Sequence, residues 1–533
     1  IDLSIEYLKP LELVVKEKND MLDRSIFNMM YHRKGYELKT SDFIKNADGT
    51  FESGTSVLEK RMISEIVPMW LKDNCIMCNQ CSLVCPHAVI RPYLISDSEY
   101  TKLPDIIKQR CIKPFEKNLS DYYFTIGISV KDCTGCGLCI NTCPGKKLVK
   151  ALTKIKLDAS LNNKEQEIFD YLNTNISSKE LINRNTVKGS QFITPKLMFH
   201  GACAGCGEPA YIKLLTQLFG GGMIIANATG CSSIYGGSAP STPYLIPWAN
   251  SLFEDNAEFG FGILKANNLM RNKLKNIMEK YQGEELIDEW LNNINDYRIT
   301  KKVYDNLDYS KYESLIPYKD YIPSRTVWAI GGDGWAYDIG YGGIDHVLST
   351  NSNINVLVLD TEVYSNTGGQ SSKSSREGSI ASFTSSGKVN GKKDLARILM
   401  GYPHVYVAQV CLGANPLQTI KAFKEANEYD GPSIIIAYSP CISHGITGGL
   451  QNSIEIESLA TSCGYFPIFR YNPILKKFTL DSENVNFDLY DEFLSRQTRY
   501  NMLKKINPEK ANILLEENKN NAIARFNYYK SLE

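Results

Sequence analysis

Two short blocks of four cysteines constrain this chain more than any other feature of its sequence. Residues 75–86 read CIMCNQCSLVCP and residues 133–144 read CTGCGLCINTCP, so the same spacing recurs and each block ends in Cys-Pro. Disulfide frameworks belong mainly to small secreted domains, and a zinc ribbon uses two C-x-x-C pairs set well apart. Neither pattern explains cysteines at every third position followed by a fourth cysteine and a proline.

The spacing within each block predicts ligands for iron–sulfur clusters, with zinc as the alternative metal. The run C-x₂-C-x₂-C-x₃-C-P is typical of bacterial-type ferredoxins with two [4Fe–4S] clusters, in which the fourth cysteine binds the other cluster. Small residues in the second block, TGCG, would let the backbone approach its cluster closely. The predicted ligands of cluster one are Cys75, Cys78, Cys81 and Cys143, and those of cluster two are Cys133, Cys136, Cys139 and Cys85.

Composition predicts a soluble globular protein with an ample core. Hydrophobic residues make up 43% of the 533 residues, and Lys+Arg and Asp+Glu are both 59, so no net charge points to nucleic acid or a membrane surface. The apolar runs are far shorter than a membrane span, and no secretory signal is recognisable. We expect a cytoplasmic protein or one from an anaerobic organelle, with any targeting region outside this chain. Because the chain does not begin with Met, we also expect a fragment, a processed product or one part of a longer polypeptide.

Changes in pattern along the chain predict five segments. From residue 191, apolar runs such as INVLVLD and PSIIIAY alternate with Gly-rich turns and helical patterns, which predicts an α/β domain with a parallel sheet and a helical insert at 265–320. The five segments are 1–54 (the tail of a preceding domain and a linker), 55–155 (a small α+β ferredoxin-like domain with two clusters), 156–190 (a linker with a helix), 191–479 (the α/β domain) and 480–533 (a charged helical arm).

Two loops that follow predicted strands carry the pattern of a diphosphate and magnesium site. The segment AIGGDGWAYDIG (329–340) ends a strand in Gly-Asp-Gly and begins a helix, where glycine lets the backbone approach a phosphate. Asp333 could reach that phosphate only through a hard cation such as Mg²⁺. The next strand ends in VLVLDTEVYSNTGGQ, whose loop offers the Thr361 hydroxyl, the Val363 carbonyl and the Asn366 amide. Gly-Asp-Gly followed by such a loop resembles thiamin-diphosphate enzymes.

Four further cysteines lie in three other Gly-rich loops. Cys203 and Cys206 form a C-x-x-C pair in HGACAGCGEPA, Cys231 lies in ATGCSSIYGGSAP, and Cys441 follows a strand in YSPCISHG. Spacing alone leaves redox-active thiols, structural thiols, half a zinc site and a third cluster open. The other cysteines, and three histidines near the cysteine loops, are expected to be structural: Cys111, Cys411, Cys463, His87, His200 and His444.

These motifs together closely resemble pyruvate:ferredoxin (flavodoxin) oxidoreductase. The matching stretches include ACAGCGE, NATGCSSIYGGSAP, NSLFEDNAEFGFG, GGDGWAYDIGYGG, LDTEVYSNTGGQ and AYSPCISHG, and the stretch that begins EKRMISEIVPMW matches the start of the family's ferredoxin domain. The resemblance covers nearly all of residues 40–530. The family's chain is longer, and the resemblance implies that this one is its C-terminal half.

The resemblance also implies roles for individual residues. Asn366 would lie near the reacting carbon, and Glu208 beside the thiamin. The ligands of a third [4Fe–4S] cluster would be Cys203, Cys206, Cys231 and Cys441. Contacts to thiamin diphosphate are expected from Glu208, Cys231, Gly332, Asp333, Gly334, Trp335, Thr361, Glu362, Val363, Tyr364, Ser365 and Asn366, and ligands to Mg²⁺ from Asp333, Thr361 and Val363. The segment SSREGSIASF (374–383) departs from the Ala-rich run common in the family, and no function is expected of it.

The function that the resemblance implies is oxidative decarboxylation of pyruvate with coenzyme A, giving acetyl-CoA and CO₂. Electrons would leave thiamin diphosphate singly, through three [4Fe–4S] clusters, for ferredoxin or flavodoxin. The expected protein partners are the missing N-terminal half and a second copy in a homodimer. The alternatives are a pyruvate:NADP oxidoreductase fused to a flavin reductase and another 2-oxoacid:ferredoxin oxidoreductase. A non-redox thiamin decarboxylase would not need the cysteines, and a pure electron-transfer module would not need GGDG with YSNTGGQ.

Overall fold

The described part of the chain begins with a short helix and several exposed turns. The structure, a computed structural model, describes residues 26–237, 241–482 and 484–533, without the side chains of 159–162. The first 25 residues of the predicted N-terminal tail therefore lie outside the described residues. Helix α1 (Ile26–Tyr31) is followed by 3₁₀ turns up to Leu58. The Ser56 hydroxyl donates to the Met198 carbonyl at 2.8 Å, which attaches this segment to the rest of the protein.

The next part is a small α+β module built on two antiparallel strand pairs. Strand β1 (Ile66–Trp70) pairs with β4 (Leu152–Lys156), and β2 (Ile90–Ser96) pairs with β3 (Tyr122–Ile128). The helices of this module are α2 (Gln80–Val84), α3 (Asp97–Thr101), α4 (Asp105–Lys108), α5 (Leu138–Thr142), α6 (Ala159–Asn175) and α7 (Val187–Ser190). Helices α2 and α5 belong to the two cysteine blocks and lie against each other.

An eight-stranded sheet, in the order β12-β11-β9-β10-β8-β7-β5-β6, forms the larger domain. Its strands are β5 (Met223–Ala228), β6 (Trp248–Ser251), β7 (Thr326–Gly332), β8 (Asn355–Asp360), β9 (Tyr406–Val410), β10 (Ser433–Tyr438), β11 (Phe469–Asn472) and β12 (Lys477–Leu480). The six strands from β9 to β6 run parallel, and β11 pairs antiparallel with both β9 and β12. This arrangement confirms the predicted α/β fold class.

Helices cover both faces of the sheet, which explains the continuous apolar runs in its strands. In β8 every residue is buried; Val356 and Val358 pack into one hydrophobic cluster, and Leu357 and Leu359 into the cluster on the opposite face. The helices of this domain are α8 (Glu208–Phe219), α9 (Cys231–Gly236), α10 (Asn256–Met278), α11 (Glu285–Asn292), α12 (Tyr297–Asn306), α13 (Tyr341–Ser349), α14 (Leu395–Leu399), α15 (Pro416–Glu428) and α16 (Ser453–Ser462). Among the described residues, no helix combines the length and apolar character needed to cross a membrane.

Three segments outside the sheet pack more closely than their polar sequences indicate. The helical insert encloses a hydrophobic cluster around the fully buried Trp290. In the predicted linker, Leu172 of α6 packs against the ferredoxin-like module. The C-terminal helices α17 (Tyr490–Ser495), α18 (Thr498–Ile506) and α19 (Pro508–Lys530) contribute buried side chains such as Phe493 and Tyr529 to the core of the sheet. The last segment is therefore an integral layer of the larger domain, because the apolar sides of its helices are buried beneath a charged outer surface.

Candidate functional site

The structure brings the eight cysteines of the two blocks together in two groups, each lining its own cavity. Because α2 and α5 lie side by side, the cysteine that ends each helix reaches the cavity of the other block. The first cavity is lined by Cys75, Cys78, Cys81 and Cys143, and the second by Cys85, Cys133, Cys136 and Cys139. This is the exchange of the fourth cysteine that the spacing predicts.

The two cysteine turns share the same backbone conformation. The third and fifth residues of each block, Met77 and Asn79 in one and Gly135 and Gly137 in the other, all have positive φ. In both blocks the N–H of the third residue donates to the sulfur of the first cysteine, at 3.4 Å. Gly135 is required at its position, since a Cβ there would lie 2.1 Å from the Ser64 hydroxyl. Each turn therefore directs a backbone donor toward sulfur, as a bound cluster would need.

Burial makes the free thiolates of these groups unfavourable. It raises the pKa of Cys133 to about 12 and the pKa of Cys136 to about 11, and it raises the pKa of Cys81 and Cys139 well above the ordinary value. Neighbouring cysteines add to each shift. Thiolates in such a site need a cation beside them, and the iron of a cluster would provide that charge. The donor set therefore fits the predicted clusters.

The third group of cysteines gathers where three loops meet at one edge of the sheet. Cys206 lies just before α8, Cys231 begins α9 and Cys441 follows β10. The Gly207 N–H donates to the Pro440 carbonyl at 3.1 Å, and a Cβ on Gly207 would lie 2.7 Å from the Pro440 ring. Burial and then the charges of Glu208, Cys441 and Cys231 raise the pKa of Cys206, which places these thiols within electrostatic reach of one another. The group consists of Cys203, Cys206, Cys231 and Cys441, of which Cys203 is exposed.

The three predicted magnesium ligands meet at the ends of β7 and β8. The Thr361 hydroxyl lies 3.0 Å from Asp333 Oδ1 and 3.0 Å from the Val363 carbonyl oxygen. The other carboxylate oxygen of Asp333 accepts from the Ser372 hydroxyl at 2.5 Å. Burial, and then the nearby Asp360 carboxylate, raise the pKa of Asp333 well above its ordinary value. A divalent cation between these oxygens would relieve that repulsion, so the donor set fits Mg²⁺.

The Gly-rich turn after β7 has one crowded side and one open side. A Cβ on Gly334 would lie 2.4 Å from the Tyr364 ring, whereas a Cβ on Gly332 would meet nothing closer than 3.9 Å. Trp335 packs back against Gly331 and is 2% exposed, so its side chain supports the turn from behind. A π-helical turn, Gly334–Ile339, follows directly. The open side at Gly332 leaves space for a ligand close to the backbone.

The loop after β8 connects the magnesium ligands to the third cysteine group. The Ser365 hydroxyl lies 3.4 Å from the Thr361 hydroxyl and 3.5 Å from the sulfur of Cys231. Asn366 follows in the exposed part of the loop. His444 joins the same two regions, because its Nε2 lies 2.6 Å from the Thr361 carbonyl oxygen. Burial lowers the pKa of His444 to about 3, so the ring is neutral and donates this hydrogen bond.

Glu362, one of the expected thiamin contacts, has its side chain bound to other residues of the protein. Its carboxylate is completely buried beneath the loop and forms ion pairs with Arg376, Lys392 and Arg499. None of these three cations was predicted from the sequence, and no function was expected of the segment that contains Arg376. The two serine pairs before Arg376, separated by Lys373, were a usable signal, since Ser372 binds Asp333 and the next residues border the same loop.

Glu208 lies in a buried polar pocket beside the third cysteine group. Its side chain is 3% exposed, and burial raises its pKa to about 7. One carboxylate oxygen of Glu208 and the hydroxyls of Tyr235 and Tyr244 have no hydrogen-bond partner in the described part of the chain. Three such groups in one place are unusual in a folded protein. They provide polar atoms for a ligand at the position where a thiamin contact is expected.

A pair of stacked histidines connects the second and third cysteine groups. The rings of His87 and His200 are 4.5 Å apart. His87 Nε2 lies 3.0 Å from the Ala202 carbonyl oxygen, and His200 Nε2 lies 2.7 Å from the Pro86 carbonyl oxygen. Since Pro86 follows Cys85 and Ala202 precedes Cys203, each ring binds the loop of the other. This reciprocal contact holds the two domains together between the two cysteine groups.

A buried lysine of the larger domain forms a second junction between the domains. This role was not predicted from the sequence. Lys213 of α8 is 1% exposed, and its ammonium group donates to the carbonyls of Ser82, Leu83 and Cys85. These carbonyls lie at the C-terminal end of α2, the helix that contains Cys81 and is followed directly by Cys85. Burial lowers the pKa of Lys213 to about 8. The lysine thus caps α2. It also adds a positive charge close to Cys81 of the first cysteine group and Cys85 of the second.

Comparison with known families identifies both cofactor-binding modules. The family described as "Thiamine pyrophosphate enzyme, C-terminal TPP binding domain" matches residues 318–437, and the "4Fe-4S binding domain" family matches residues 68–91. A family described as "Domain of unknown function" matches residues 12–64. The chain therefore carries a thiamin-diphosphate-binding domain and a [4Fe–4S]-binding domain.

Similar proteins are pyruvate oxidoreductases. Pyruvate:ferredoxin oxidoreductase of Moorella thermoacetica is 44% identical over 94% of this chain and 45% of its own length. Pyruvate-flavodoxin oxidoreductase of Klebsiella pneumoniae is 42% identical over 96% of this chain and 45% of its own length. Mitochondrial pyruvate dehydrogenase (NADP(+)) of Euglena gracilis is 42% identical over 94% of this chain and 29% of its own length. The chain thus spans less than half the length of these relatives.

Proposed function

We propose that this chain, which is homologous over nearly its whole length to about half of the pyruvate:ferredoxin and pyruvate-flavodoxin oxidoreductases, is the thiamin-binding and electron-transferring part of such an enzyme. The whole enzyme would convert pyruvate and coenzyme A to acetyl-CoA, CO₂ and a proton, and would release two electrons. The remainder of the enzyme would complete the substrate site. We further propose that the enzyme is a homodimer.

The residues around the open side of the Gly-rich turn would hold the organic cofactor. When bound, thiamin diphosphate supplies an electron sink for decarboxylation, and [4Fe–4S] clusters accept electrons singly. Asp333, Thr361 and the Val363 carbonyl would hold the Mg²⁺ that binds the diphosphate, and Gly332 would let the diphosphate approach the backbone. Asn366 would lie near the reacting carbon. The other proposed contacts are Glu208, Cys231, Gly334, Trp335, Tyr364 and Ser365; for Glu362 we propose a supporting role instead of a contact.

The three cysteine groups would form a route for electrons. Cys203, Cys206, Cys231 and Cys441 would bind the cluster that receives electrons from the thiamin. The stacked His87 and His200 separate this group from the second group, and the exchanged cysteines of α2 and α5 place the second group beside the first. Electrons would then leave the first group for ferredoxin or flavodoxin, the acceptors in the names of the relatives.

One contact carries this proposal. The 3.5 Å separation between the Cys231 sulfur and the Ser365 hydroxyl joins a cysteine of the third group to the loop of the proposed magnesium ligands. A thiamin enzyme without electron transfer would gain nothing from this proximity. An electron carrier without thiamin chemistry would not need the loop.

The composition of the purified protein tests the proposal. Protein isolated without oxygen should contain about twelve iron atoms and equivalent sulfide per chain, as three four-iron clusters require, and should bind one thiamin diphosphate with Mg²⁺. The whole parent enzyme should reduce ferredoxin when given pyruvate and coenzyme A, and this chain alone should show little or no activity. Colourless protein, or zinc in the cysteine groups, would contradict the proposal.

A second candidate for the acceptor is NADP⁺. Relatives from Euglena gracilis and Cryptosporidium parvum, named pyruvate dehydrogenase (NADP(+)), match this chain at 42% and 41% identity over 29% of their own lengths. In that case electrons would pass from the first cysteine group to a flavin-binding domain of the same polypeptide. Pyruvate-dependent reduction of NADP⁺ by the parent enzyme, without added ferredoxin, distinguishes the two acceptors.

A further inference from the structure

The loop of the proposed magnesium ligands contains a residue in a conformation that side chains rarely adopt. Glu362 lies between Thr361 and Val363 and has a φ of 59°, in the left-handed region that favours glycine. Its side chain is 0% exposed. A strained backbone and a buried carboxylate are each unfavourable, so the surrounding structure must stabilise both.

Three cations and one hydroxyl from distant parts of the chain surround this carboxylate. Arg376 Nε lies 3.0 Å and Lys392 Nζ 3.1 Å from Oε1 of Glu362. Arg499 Nη2 lies 2.8 Å from Oε2, which also accepts from the Tyr465 hydroxyl at 2.5 Å. Both arginines are less than 4% exposed. Pairs formed in such a dry environment are strong and directional. Lys392 also pairs with Asp360 at 2.5 Å, whereas Glu362 is the carboxylate that compensates the two buried arginines.

The backbone of the same turn is fixed as well. His444 donates to the Thr361 carbonyl at 2.6 Å, and the Ser375 hydroxyl donates to the Glu362 carbonyl. With both carbonyls held and the Glu362 side chain bound below, the turn has little freedom to rotate. The Thr361 hydroxyl and the Val363 carbonyl, on either side of Glu362, are therefore held within 3.0 Å of each other.

We propose that Glu362 is a positioning residue for the metal-binding loop, and that Arg499 of the C-terminal helix α18 fixes it in place. The inference rests on the proposed function, because it assumes that this loop binds Mg²⁺ with thiamin diphosphate. It adds that the C-terminal helices, through Arg499, set the geometry of the metal ligands without touching the metal. In this proposal the Glu362 side chain holds the loop in position through its ion pairs and does not contact the cofactor.

The test compares four variants of the chain, all purified without oxygen. Glu362→Gln removes the charge but keeps the shape, Arg499→Met removes one cation, and Arg499→Lys keeps it. Glu377→Gln is the matched control: Glu377 is 2% exposed in the same segment and binds Asn521 of α19 at 2.6 Å, but does not contact the metal loop. Calorimetric titration with thiamin diphosphate at fixed Mg²⁺, and with Mg²⁺ at fixed thiamin diphosphate, gives the affinities. Iron content and Tm are measured alongside.

We expect Glu362→Gln and Arg499→Met to weaken both affinities by about tenfold or more, since breaking a buried pair leaves its partners uncompensated. Arg499→Lys should restore most of the loss, and Glu377→Gln should bind as the wild type does, with iron content unchanged throughout. Equal affinity in Glu362→Gln and the wild type, or equal losses in Glu362→Gln and Glu377→Gln, would overturn the inference. If Glu362→Gln does not fold, the comparison of Arg499→Met with Arg499→Lys decides. A wild type that binds neither titrant would overturn the proposed function, and this inference with it.

Discussion

Asp333 shows how one buried side chain can be held ready for a cation. It is 1% exposed and accepts hydrogen bonds from Thr361 and Ser372, yet these donors do not neutralise its charge. Burial and the nearby Asp360 both oppose its ionisation. A divalent cation would reverse that balance, because a nearby positive charge favours the ionised carboxylate.

Asp333→Ala should therefore abolish the binding of Mg²⁺ and thiamin diphosphate while leaving the iron content unchanged. Changing a residue that only hydrogen-bonds to a metal ligand weakens metal binding by up to about a hundredfold. Loss of a direct ligand should therefore weaken binding by at least that much. Calorimetric titration and iron analysis of the same sample check this. Loss of iron in parallel with thiamin would show that the two sites are not separate.

Cys136→Ser is the complementary change at the second cysteine group. It should reduce the iron content by about four atoms per chain, since serine replaces one ligand of a four-iron cluster. The affinity for thiamin diphosphate should stay at the wild-type value, because the loop of Thr361 lies in the other domain. Iron and sulfide analysis with the same titration measures both. An unchanged iron content would remove Cys136 from the ligand set.

Glu457 predicts a pH dependence of stability that is independent of the cofactors. Burial raises the pKa of this carboxyl to about 8, and it accepts one hydrogen bond, from the Gly413 N–H. Between its ordinary pKa near 4.5 and 8, the folded protein retains a proton that the unfolded chain releases. The free energy of unfolding therefore falls as the pH rises through this window, by about 3 kcal/mol at pH 7.

Glu457→Gln should remove this dependence, because the amide keeps the acceptor for Gly413 and does not titrate. The Tm of the variant should exceed that of the wild type by a margin that grows from pH 5 to pH 8. Differential scanning calorimetry of both proteins across this range measures the margin. A constant difference in Tm would mean that Glu457 is ionised in the folded protein.

At the scale of elements, the short helix α2 depends on a neighbour in the other domain. It has only five residues, too few to be stable alone. Its C-terminal carbonyls accept from the ammonium group of Lys213, which lies on α8. The helix that presents the last two cysteines of the first block is therefore completed by the thiamin-binding domain.

Lys213→Met should destabilise the protein by a few kcal/mol, because it leaves buried carbonyls without a donor. The effect should appear as a lower Tm and as faster loss of iron during exposure to a chelator. Lys421→Met, at an exposed position on α15, is the control and should behave as the wild type does. If both variants released iron at the wild-type rate, Lys213 would have no part in holding the clusters.

At the scale of the whole molecule, sequence patterns predicted local features and missed contacts between distant segments. The strands β8 and β10 were predictable because burial on both faces requires continuous apolar runs. The first two cysteine groups were predictable because three cysteines of each lie within one short turn, whereas the third group, spread over three loops, was expected only from the family resemblance. Lys213 and Arg499 were not, since a lone cation in a polar helix has the pattern of a surface residue, and only the fold shows that each is buried against a partner more than a hundred residues away.

The crossed histidine contact fixes how the two domains meet between the second and third cysteine groups. Because His87 and His200 each anchor the backbone of the other domain, sliding or rotation of one domain would break both hydrogen bonds at once. The polypeptide itself therefore sets the distance between the second and third cysteine groups, whether or not clusters are bound. The proposed electron transfer between the second and third cysteine groups would therefore not require one domain to move relative to the other.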